Sequence, residues 1–469
     1  MSKKNQNYTN RKQNRFQPER MRGNIFVNNS GKQWLPGKNG RAAKVERLLR
    51  GLEKKEIAGN MAGYKDSGIE YIGQVPKDWE VLRLKNISNI YAAKEYLFGE
   101  WPVEKNGKPY SPFGEWSSGN EVIITGRVGT IGQYEMLEKN PKKKILINDN
   151  RLLIRPFTED YRKKALSHFL FWAMAIVNLN DIITGSAVPL ITATSLLKKR
   201  IVVPPLSEQQ RIADFLDTKC GILDRTIDAV SQQIEDLEKY KKALITKTVT
   251  KGIYKKGEPE RAMKDSGVEW IGEVPEEWDV KRNSLNFDIR KTLVGENWSN
   301  MQLLSLTTNG VKNITIDDQV GKRPKTLATY QIAHKNDIVM CLFDLDASAV
   351  FSGLCKKNGI ISPAYKLLKC KNGMFPPYAE YYFRAVFDGR KYKKYAKSIR
   401  YTISTNDFMH LKMPVPPLAE QQQIADYLDE KCKNINNRVQ KRRQQLEWLK
   451  EYKKSLIFDY VTGKKRVET

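Results

Sequence analysis

Few residues of this sequence have the types and spacing that chemistry on a substrate requires. The triplets Asp217-x-Lys219 and Asp429-x-Lys431 recur at equivalent positions of a repeat. Neither has an acidic partner at a spacing that would hold the metal ions of phosphodiester cleavage. Both lie in stretches with helical periodicity, so we expect ordinary helix positions and predict no nuclease site.

The segment FPPY at residues 375–378 carries the Pro-Pro-Tyr of an amino-methyltransferase motif. Phe375 stands where an Asn, Asp or Ser would hold the target amine, and a phenyl ring cannot accept that hydrogen bond. No Gly-rich cofactor loop accompanies the segment, and the sequence has no Gly-x4-Gly-Lys-Ser/Thr loop for ATP. We therefore predict no catalytic residues and no cofactor.

The histidines and cysteines do not form a metal site in the sequence. His168, His334 and His410 are scattered, and none pairs with a cysteine at zinc-ligand spacing. The five cysteines are an odd number without a Cys-x-x-Cys pair, which is typical of a reducing cytoplasm. The most apolar run, residues 165–179, is too short to cross a bilayer, so we expect a core helix, no membrane contact and a cytoplasmic protein.

Two pairs of segments repeat along the chain. Residues 203–220, VPPLSEQQRIADFLDTKC, return as residues 415–432 with 14 of 18 positions identical, and residues 65–79 return as residues 264–278 with 10 of 15 identical. The offsets are 415 − 203 = 212 and 264 − 65 = 199, so the stretches between the repeated segments differ in length by 13 residues. This pattern predicts one duplicated framework that holds two diverged inserts.

The chain is strongly basic. It has 81 Lys+Arg and 53 Asp+Glu, a net charge of +28, which favours a polyanionic partner such as nucleic acid. Residues 1–60 contribute +11 of this (15 − 4), and their composition predicts disorder. They are either a solvated leader or a nonspecific phosphate-binding arm.

Each repeat continues into a long helix. Ser207 with Gln210 fits a capping box, and apolar positions then follow at alternating steps of four and three residues, which is the spacing of a coiled-coil seam. The seam positions of the first helix are Leu216, Cys220, Leu223, Ile227, Val230, Ile234, Leu237, Lys241 and Leu244. Two such helices, each roughly 65 Å long, would pack their seams together and run antiparallel if a twofold axis relates the copies.

The inserts mix strand-like runs with helices. In the first, residues 121–125 and 144–147 read as strands and residues 161–179 as a helix, which suggests a compact α/β or α+β domain. The Gly-rich turn at residues 125–132 lets backbone approach another surface, although an ordinary hairpin stays an alternative.

Basic residues interleaved with aromatic ones predict nucleic-acid contacts in the second insert. Residues 391–401, KYKKYAKSIRY, suit phosphate contacts with rings or guanidinium reaching base edges; the alternative is a solvated face of a helix that starts near Pro377. The predicted DNA-binding residues of both inserts are Arg127, Gly129, Lys142, Lys143, Lys144, Arg162, Lys163, Lys391, Lys393, Lys394, Lys397, Arg400 and Tyr401.

The repeated blocks KDSG-x-E-x-IG-x-VP-xx-W and VPPL-x-EQQ-x-IAD-x-LD resemble those of the specificity subunit of type I restriction-modification enzymes. The resemblance covers residues 64–463. It implies two α/β (α+β) target-recognition domains in a pseudo-twofold repeat, joined by two long antiparallel coiled-coil helices. Gly126, Arg127, Gly129 and Gly132 resemble the family's Gly-rich turn, and residues 337–355 of the second insert depart from it.

The predicted domains follow from this resemblance. They are a basic extension (1–60), a first target-recognition domain (61–202), a first spacer helix (203–250), a linker expected to be flexible (251–263), a second target-recognition domain (264–414), a second spacer helix (415–463) and a tail (464–469).

The resemblance also implies a function shared with other chains. The expected partners are double-stranded DNA with a bipartite asymmetric site, two methyltransferase (modification) subunits that methylate adenine, and restriction motor-nuclease subunits for ATP-dependent cleavage. The expected partner-binding residues lie in the repeats and are Trp79, Glu208, Gln209, Gln210, Trp278, Glu420, Gln421 and Gln422. A freestanding bipartite DNA-binding protein and a coiled-coil RNA-binding adaptor are the alternatives.

Overall fold

The structure is a computed structural model in which most of the chain after residue 62 is described. The described residues are 63–92, 122–126, 132–136, 151–158, 163–185, 189–254, 257, 259–308, 310–315, 326–345, 351–396 and 401–467, with three short strands at 22–23, 104–105 and 108–109. They form two compact units, the first from Met1–Ile227 with Glu447–Thr469 and the second from Asp228–Leu446. The disorder predicted for residues 1–60 falls outside the described residues, apart from the short strand.

Short strands build the first unit. In chain order they are β1 (Arg22–Gly23), β2 (Tyr64–Asp66), β3 (Gln74–Pro76), β4 (Glu80–Arg83), β5 (Ser88–Ala92), β6 (Glu104–Lys105), β7 (Lys108–Pro109), β8 (Val122–Thr125), β9 (Tyr134–Met136), β10 (Arg151–Pro156) and β11 (Arg200–Val203). An antiparallel sheet has the order β1-β9-β8-β10-β5, and β2-β3, β4-β11 and β6-β7 form two-stranded ribbons.

The helix predicted at residues 161–179 is shorter than expected. Helix α1 spans Ser167–Met174 and is buried along most of its length. The residues before it are extended because the side chain of Gln209 binds the backbone of Lys164 and Leu166, which removes those groups from helical hydrogen bonding. A second helix, α2 (Ala193–Leu197), starts with a capping box between Thr192 and Ser195.

The second unit also combines strands with helices. The strands are β12 (Met263–Asp265), β13 (Glu273–Pro275), β14 (Asp279–Arg282), β15 (Phe287–Arg290), β16 (Leu303–Thr307), β17 (Gly310–Ile314), β18 (Gln331–Ala333), β19 (Ile338–Met340), β20 (Ser352–Leu354), β21 (Gly359–Ile361), β22 (Lys366–Cys370) and β23 (Lys412–Val415). Two sheets of four strands have the orders β15-β22-β19-β20 and β17-β16-β21-β18, and β12-β13 and β14-β23 are ribbons. Both units therefore have the predicted mixed α and β content.

Two helices exceed all others in length. Helix α3 spans Leu206–Lys251 and helix α7 spans Leu418–Val461, each about 65–70 Å long at 1.5 Å per residue. Between them in the chain lie α4 (Asn283–Asn286), α5 (Pro376–Asp388) and α6 (Thr405–His410). All the seam positions predicted for the first long helix are buried or half-buried. The predicted capping box is wrong, because α3 begins before Ser207 and Gln210 donates to Asp214 instead.

The long helices run antiparallel within the first unit. The ring of Phe215 lies 4.4 Å from that of Tyr460, and Lys453 Nζ donates to Asp224 Oδ1 at 2.6 Å. The contact that lies later in α3 is made with the residue that lies earlier in α7, so the two helices are antiparallel.

The same order holds in the second unit. Arg443 donates to Glu238 at 2.7 Å, and Lys241 donates to Asn436 Oδ1 at 2.9 Å. The predicted antiparallel arrangement is thus confirmed in each unit by contacts of its own.

The two units share the same framework of ribbons and long helices, and they differ in the sheets of their inserts. Ribbons β2-β3 and β4-β11 of the first unit correspond to β12-β13 and β14-β23 of the second, and each unit contains the start of one long helix and the end of the other. Among the described residues, the first unit has one sheet of five strands, which includes β1 from before the ribbons, whereas the second has two sheets of four. Among the described helices, none has the length and apolar character to cross a membrane.

A glycine ends each long helix against a tryptophan. Gly463 follows α7 with φ of 71°, and a Cβ there would lie 2.6 Å from Pro76 Cδ and 3.1 Å from Trp79 Cη2. Gly252 follows α3 with φ of 81°, and a Cβ there would lie 3.4 Å from Trp278 Cζ2. Left-handed backbone and close packing both require glycine at these ends.

We predict that Gly463→Ala destabilises the first unit by about 1–3 kcal/mol, because alanine would be strained at positive φ and would clash with Pro76. Denaturant unfolding of the full chain measures this loss. Gly221→Ala is the control, since Gly221 lies inside α3 with only an Arg225 side chain near its Cβ position, and it should gain about 0.5–1 kcal/mol. Equal effects of the two substitutions would contradict the packing argument.

Candidate nucleic-acid interface

A buried tryptophan binds the first turn of α3 in the first unit. Trp79 has no exposed surface, and its Nε1 donates to Glu208 Oε2 at 3.0 Å. Arg466 approaches the same carboxylate, with Nε 3.5 Å from Glu208 Oε1, and donates from Nη2 to Asp78 at 2.6 Å. The hydrogen bond to Asp78 raises the pKa of Arg466, so a fixed cation faces the buried carboxylate.

The second unit repeats this arrangement with its own residues. Trp278 is fully buried and donates from Nε1 to Glu420 Oε2 at 2.8 Å. Arg261 donates from Nη1 to Glu420 Oε1 at 2.6 Å, pairs with Glu277, and lies 5.9 Å from the centre of the indole ring. The end of the predicted flexible linker is therefore bound to its unit.

These positions correct part of the expected partner-binding surface. Trp79 and Trp278 have no exposed surface, and Glu208 is 6% exposed. Glu420 is half-buried and binds Trp278 and Arg261. The buried side chains among these offer no surface to another chain, so their repetition reflects the framework.

Gln209 joins α3 to the insert of the first unit. The side chain is fully buried, its Oε1 accepts from Leu166 N at 2.9 Å, and its Nε2 donates to the carbonyls of Lys164 and Pro204 at 2.8 and 2.7 Å. This amide thus fixes the chain ahead of α1 and the turn ahead of α3.

Gln421 does the same in the second unit. Its Oε1 accepts from Phe375 N at 2.8 Å, and its Nε2 donates to the carbonyls of Gly373 and Pro416, each at 2.8 Å. Gln209 and Gln421 are thereby corrected from partner contacts to internal clamps. Their neighbours Gln210 and Gln422 are exposed.

The motifs that resembled catalytic ones also have internal partners. Asp217 accepts from Trp172 Nε1 at 2.8 Å, and Asp429 accepts from Tyr381 Oη at 2.6 Å, so each binds a helix of its insert to a long helix. Tyr378 of the Pro-Pro-Tyr segment is fully buried, and its single hydroxyl proton is shared between the carbonyls of Val249 and Pro414, which lie 3.1 and 3.0 Å from its Oη. Within the described residues, no group of His, Cys, Asp or Glu is placed to hold a metal ion.

The basic segment of the second unit lies beyond helix α5 and not on its face. Helix α5 ends at Asp388, Arg390 has φ of 49°, and Lys391–Lys394 form one 3-10 turn. Tyr401, with φ of 46°, follows. Two non-glycine residues with left-handed backbone therefore bracket the segment, a strained conformation that surrounding packing must maintain.

Two lysines of the segment have partners within the second unit. Lys393 Nζ lies 4.6 Å from the ring centre of the half-buried Tyr401. Lys394 pairs with Glu269, and that hydrogen bond lowers the pKa of the Glu269 carboxyl. Lys391 is half-buried. Lys397 and Arg400 lie outside the described residues.

Few of the DNA-binding residues predicted for the first insert lie among the described residues. Lys163 is exposed ahead of α1, while Arg127, Gly129, Lys142, Lys143, Lys144 and Arg162 lie outside the described residues. Strands β8 and β9 pair on either side of the Gly-rich turn, and Gly132 N donates to Thr125 O at 2.8 Å, which fits the hairpin alternative. At Gly126 a Cβ would lie 3.1 Å from Ile191 O, so the backbone approaches closely there.

Sequence reasoning missed Arg261 and Arg466. They follow the ends of the long helices by ten and five residues, respectively, so alignment of the repeats does not pair them. The sequence did contain a signal for them. Val249-Thr250 and Val461-Thr462 are separated by 212 residues, the offset of the repeat, and a glycine follows each pair within two residues. This match extends the repeat to the ends of the long helices, which the arginines follow.

A family model described as type I restriction modification DNA specificity domain matches residues 76–239 and 308–447, which is more than half of the chain. The chain belongs to this family. Two relatives from Methanocaldococcus jannaschii align over most of its length. The type I restriction enzyme MjaVIII specificity subunit is 24% identical over 436 residues, covering 84% of this chain and 95% of its own. The putative type I restriction enzyme MjaX specificity subunit is 25% identical over 441 residues, with 85% and 96% coverage.

The fold agrees with this membership. A chain of the solved structure described as "Structural basis underlying complex assembly and conformational transition of the type I R-M system" superimposes with a TM-score of 0.59 at 15% identity, covering 83% of this chain and 99% of that one. As a member of the specificity family, the chain is associated with DNA sequence specificity in a restriction-modification system.

We predict that Gln421→Ala destabilises the second unit by about 2–4 kcal/mol, because it leaves a buried N–H and two carbonyls without partners. Gln422→Ala is the control, since this exposed neighbour should change stability by less than about 0.5 kcal/mol. Urea unfolding of the full-length variants measures both. If the Gln421→Ala chain is as stable as wild type but binds its partner less well, Gln421 contacts the partner as the sequence predicts.

Proposed function

We propose that this chain is the specificity subunit of a type I restriction-modification complex in which each unit reads one half of a bipartite, asymmetric duplex DNA site. The observation that carries the proposal is the repetition of one framework around two different inserts. Both units have the same ribbons, the same Trp–Glu–Arg contacts and the same buried glutamine. A framework repeated so closely is suited to presenting two different reading surfaces in the same way.

The proposal assigns methylation of adenine and ATP-dependent cleavage to other chains. Two methyltransferase subunits would dock on the chain, and restriction motor-nuclease subunits would join through them. The names of the relatives support this division, since both are specificity subunits of restriction enzymes.

Exposed residues at equivalent repeat positions suit two copies of one partner. Leu206 and Leu418 begin the long helices and are 38% and 54% exposed, and Tyr240 and Tyr452 are 58% and 46% exposed. Each pair is separated by 212 residues, which is the offset of the repeat. Apolar side chains exposed twice at the same place favour a protein contact in each unit, and the exposed Gln210 and Gln422 would belong to these two surfaces.

The long helices would set the length of the unread gap between the half-sites. We predict that one heptad inserted at the unit boundary in both helices, after Ile227 in α3 and after Leu446 in α7, lengthens that gap by about three base pairs. Seven helical residues add about 10 Å, and each base pair adds about 3.4 Å. Sequencing of methylated adenines in cells that express the complex gives the gap directly.

The design separates two failures of the idea. A single heptad in α3 alone is the control, because it shifts one seam against the other and should abolish methylation. An unchanged gap in the variant with both insertions would contradict the proposal that the helices set the gap length. A methylated site without two halves would contradict the reading of a bipartite site.

We predict that Lys391→Ala with Lys393→Ala weakens DNA binding and lowers the steepness of its salt dependence. The slope of log affinity against log salt should fall by about 1.8, since each lost phosphate contact contributes about 0.9. Fluorescence anisotropy of the full-length chain with duplex DNA at several salt concentrations measures it. Lys433→Ala with Lys441→Ala removes the same charge from exposed positions of α7 and should leave the slope nearly unchanged. An equal slope in both variants would show that the segment is a solvated surface that does not contact DNA.

The same titrations distinguish the alternatives. Tighter binding to single-stranded RNA than to duplex DNA favours an RNA-binding adaptor. Duplex binding by a chain that never co-purifies with a methyltransferase favours a freestanding DNA-binding protein.

A further inference from the structure

A second basic surface of the second unit forms where two loops meet at the start of β19. Lys335 N donates to Asn358 Oδ1 at 2.8 Å, and the backbone of Asn336 and Asp337 exchanges hydrogen bonds with Cys355, both at 2.8 Å. These bonds bring residues 334–337 and 355–358 together.

The end of β15 reaches the same place. Arg290 is the last residue of β15, and its Nη1 lies 2.8 Å from His334 Nδ1. We call the exposed and half-exposed cations with this histidine the Arg290 surface, which consists of Arg290, His334, Lys335, Lys356 and Lys357.

The Arg290 surface is positive and presents donors. Lys335, Lys356 and Lys357 are exposed, and within the described residues no carboxylate forms an ion pair with any of them. The acid beside them, Asp337, is 3% exposed. The Asp337 carboxylate is therefore shielded from solvent, and the charges accessible to a polyanion are those of the lysines.

Arg290 lies beside that buried acid and bonds to His334. Asp337 Oδ2 accepts from His334 N at 2.8 Å and lies 3.4 Å from Arg290 Nε. A guanidinium can only donate, so His334 accepts at Nδ1 and carries its proton on Nε2 while this bond exists. Arg290 Nη2 has no hydrogen-bond partner among the described residues, and its side chain is 25% exposed.

We propose that the Arg290 surface contacts duplex DNA, with Arg290 donating to the N7 and O6 acceptors of a guanine and Lys335, Lys356 and Lys357 binding backbone phosphates. This inference rests on the proposed function and adds a specificity-determining residue to it. A guanidinium bonded to His334 beside a buried carboxylate suits the paired acceptors of guanine in the major groove. Flexible lysines without a fixed partner suit phosphates, which position the protein but carry no sequence information.

The Arg290 surface is distinct from the basic segment at residues 391–401. Asp337 of the Arg290 surface precedes β19, whereas Leu345, whose N donates to the carbonyl of Tyr401 in the basic segment at 3.3 Å, follows it. Substitutions in one surface should therefore act independently of those in the other.

The first experiment selects binding sites for the full-length chain from a randomised duplex library. Wild type should select guanine at one position of one half-site, and Arg290→Lys should weaken that preference by about tenfold while the other positions keep theirs. Lysine retains the charge beside Asp337 but not the paired donors. Because His334 is half-exposed, His334→Ala tests the same base pair if Arg290→Lys fails to fold, and it should weaken the preference less.

The second experiment removes the lysines as a set. Lys335→Ala, Lys356→Ala and Lys357→Ala together should lower the salt slope of duplex binding by about 2.7, at about 0.9 for each phosphate contact, without changing the selected sequence. The control Lys433→Ala, Arg438→Ala and Lys441→Ala removes three cations from exposed positions of α7 and should alter the slope far less.

The outcomes separate this inference from the proposed function. Selection of a bipartite site by wild type and by both Arg290 surface variants, with unchanged preference and slope, would overturn the inference and leave the proposed function intact. If wild type selects no duplex sequence, or binds RNA more tightly, both fail. Loss of preference in Arg290→Lys and loss of slope in the lysine variant, each without the other effect, supports the division of roles.

Discussion

In each unit a tryptophan indole donates to a glutamate in the first turn of a long helix, through a hydrogen bond that is buried in the first unit and partly buried in the second. A carboxylate inside a protein is costly unless a cation compensates it. Arg466 supplies that charge to Glu208, and Arg261 supplies it to Glu420. Because both arginines lie beyond the end of the other long helix, a unit is complete only when the start of one helix and the end of the other are present together.

This requirement explains why the framework tolerates two different inserts. Gln209 and Gln421 bind backbone atoms of the insert, and Trp79 and Trp278 bind glutamates of the long helices, so these hydrogen bonds do not require particular insert side chains. The inserts are therefore free to diverge, as their different described sheets show. For a specificity subunit, such a framework allows the reading surface to change while the means of presenting it stays the same.

The charges of the second unit divide into two kinds. Lys394 and Arg261 are paired with exposed or half-buried carboxylates inside the unit, whereas the lysines around Arg290 face outward beside a buried Asp337. Only cations of the second kind add fully to the attraction for a polyanion. A net charge of +28 thus does not locate a binding surface by itself, and the pairing of each cation has to be known.

The sequence by itself determined the duplication, the mixed α and β content, the two long helices and the family, because identical blocks, apolar periodicity and seam spacing are local properties of the chain. Only the tertiary structure decided which repeated residues are internal. Gln209 and Gln210 are adjacent and both polar, yet one is buried by the insert and the other faces solvent. Repetition reports that a residue is needed in both copies, but not whether its partner lies within the fold or outside it. The Arg290 surface likewise depended on three segments, ending at Arg290, Asp337 and Asn358, that meet only in the folded unit, since hydrogen bonds between distant residues leave no pattern along the chain.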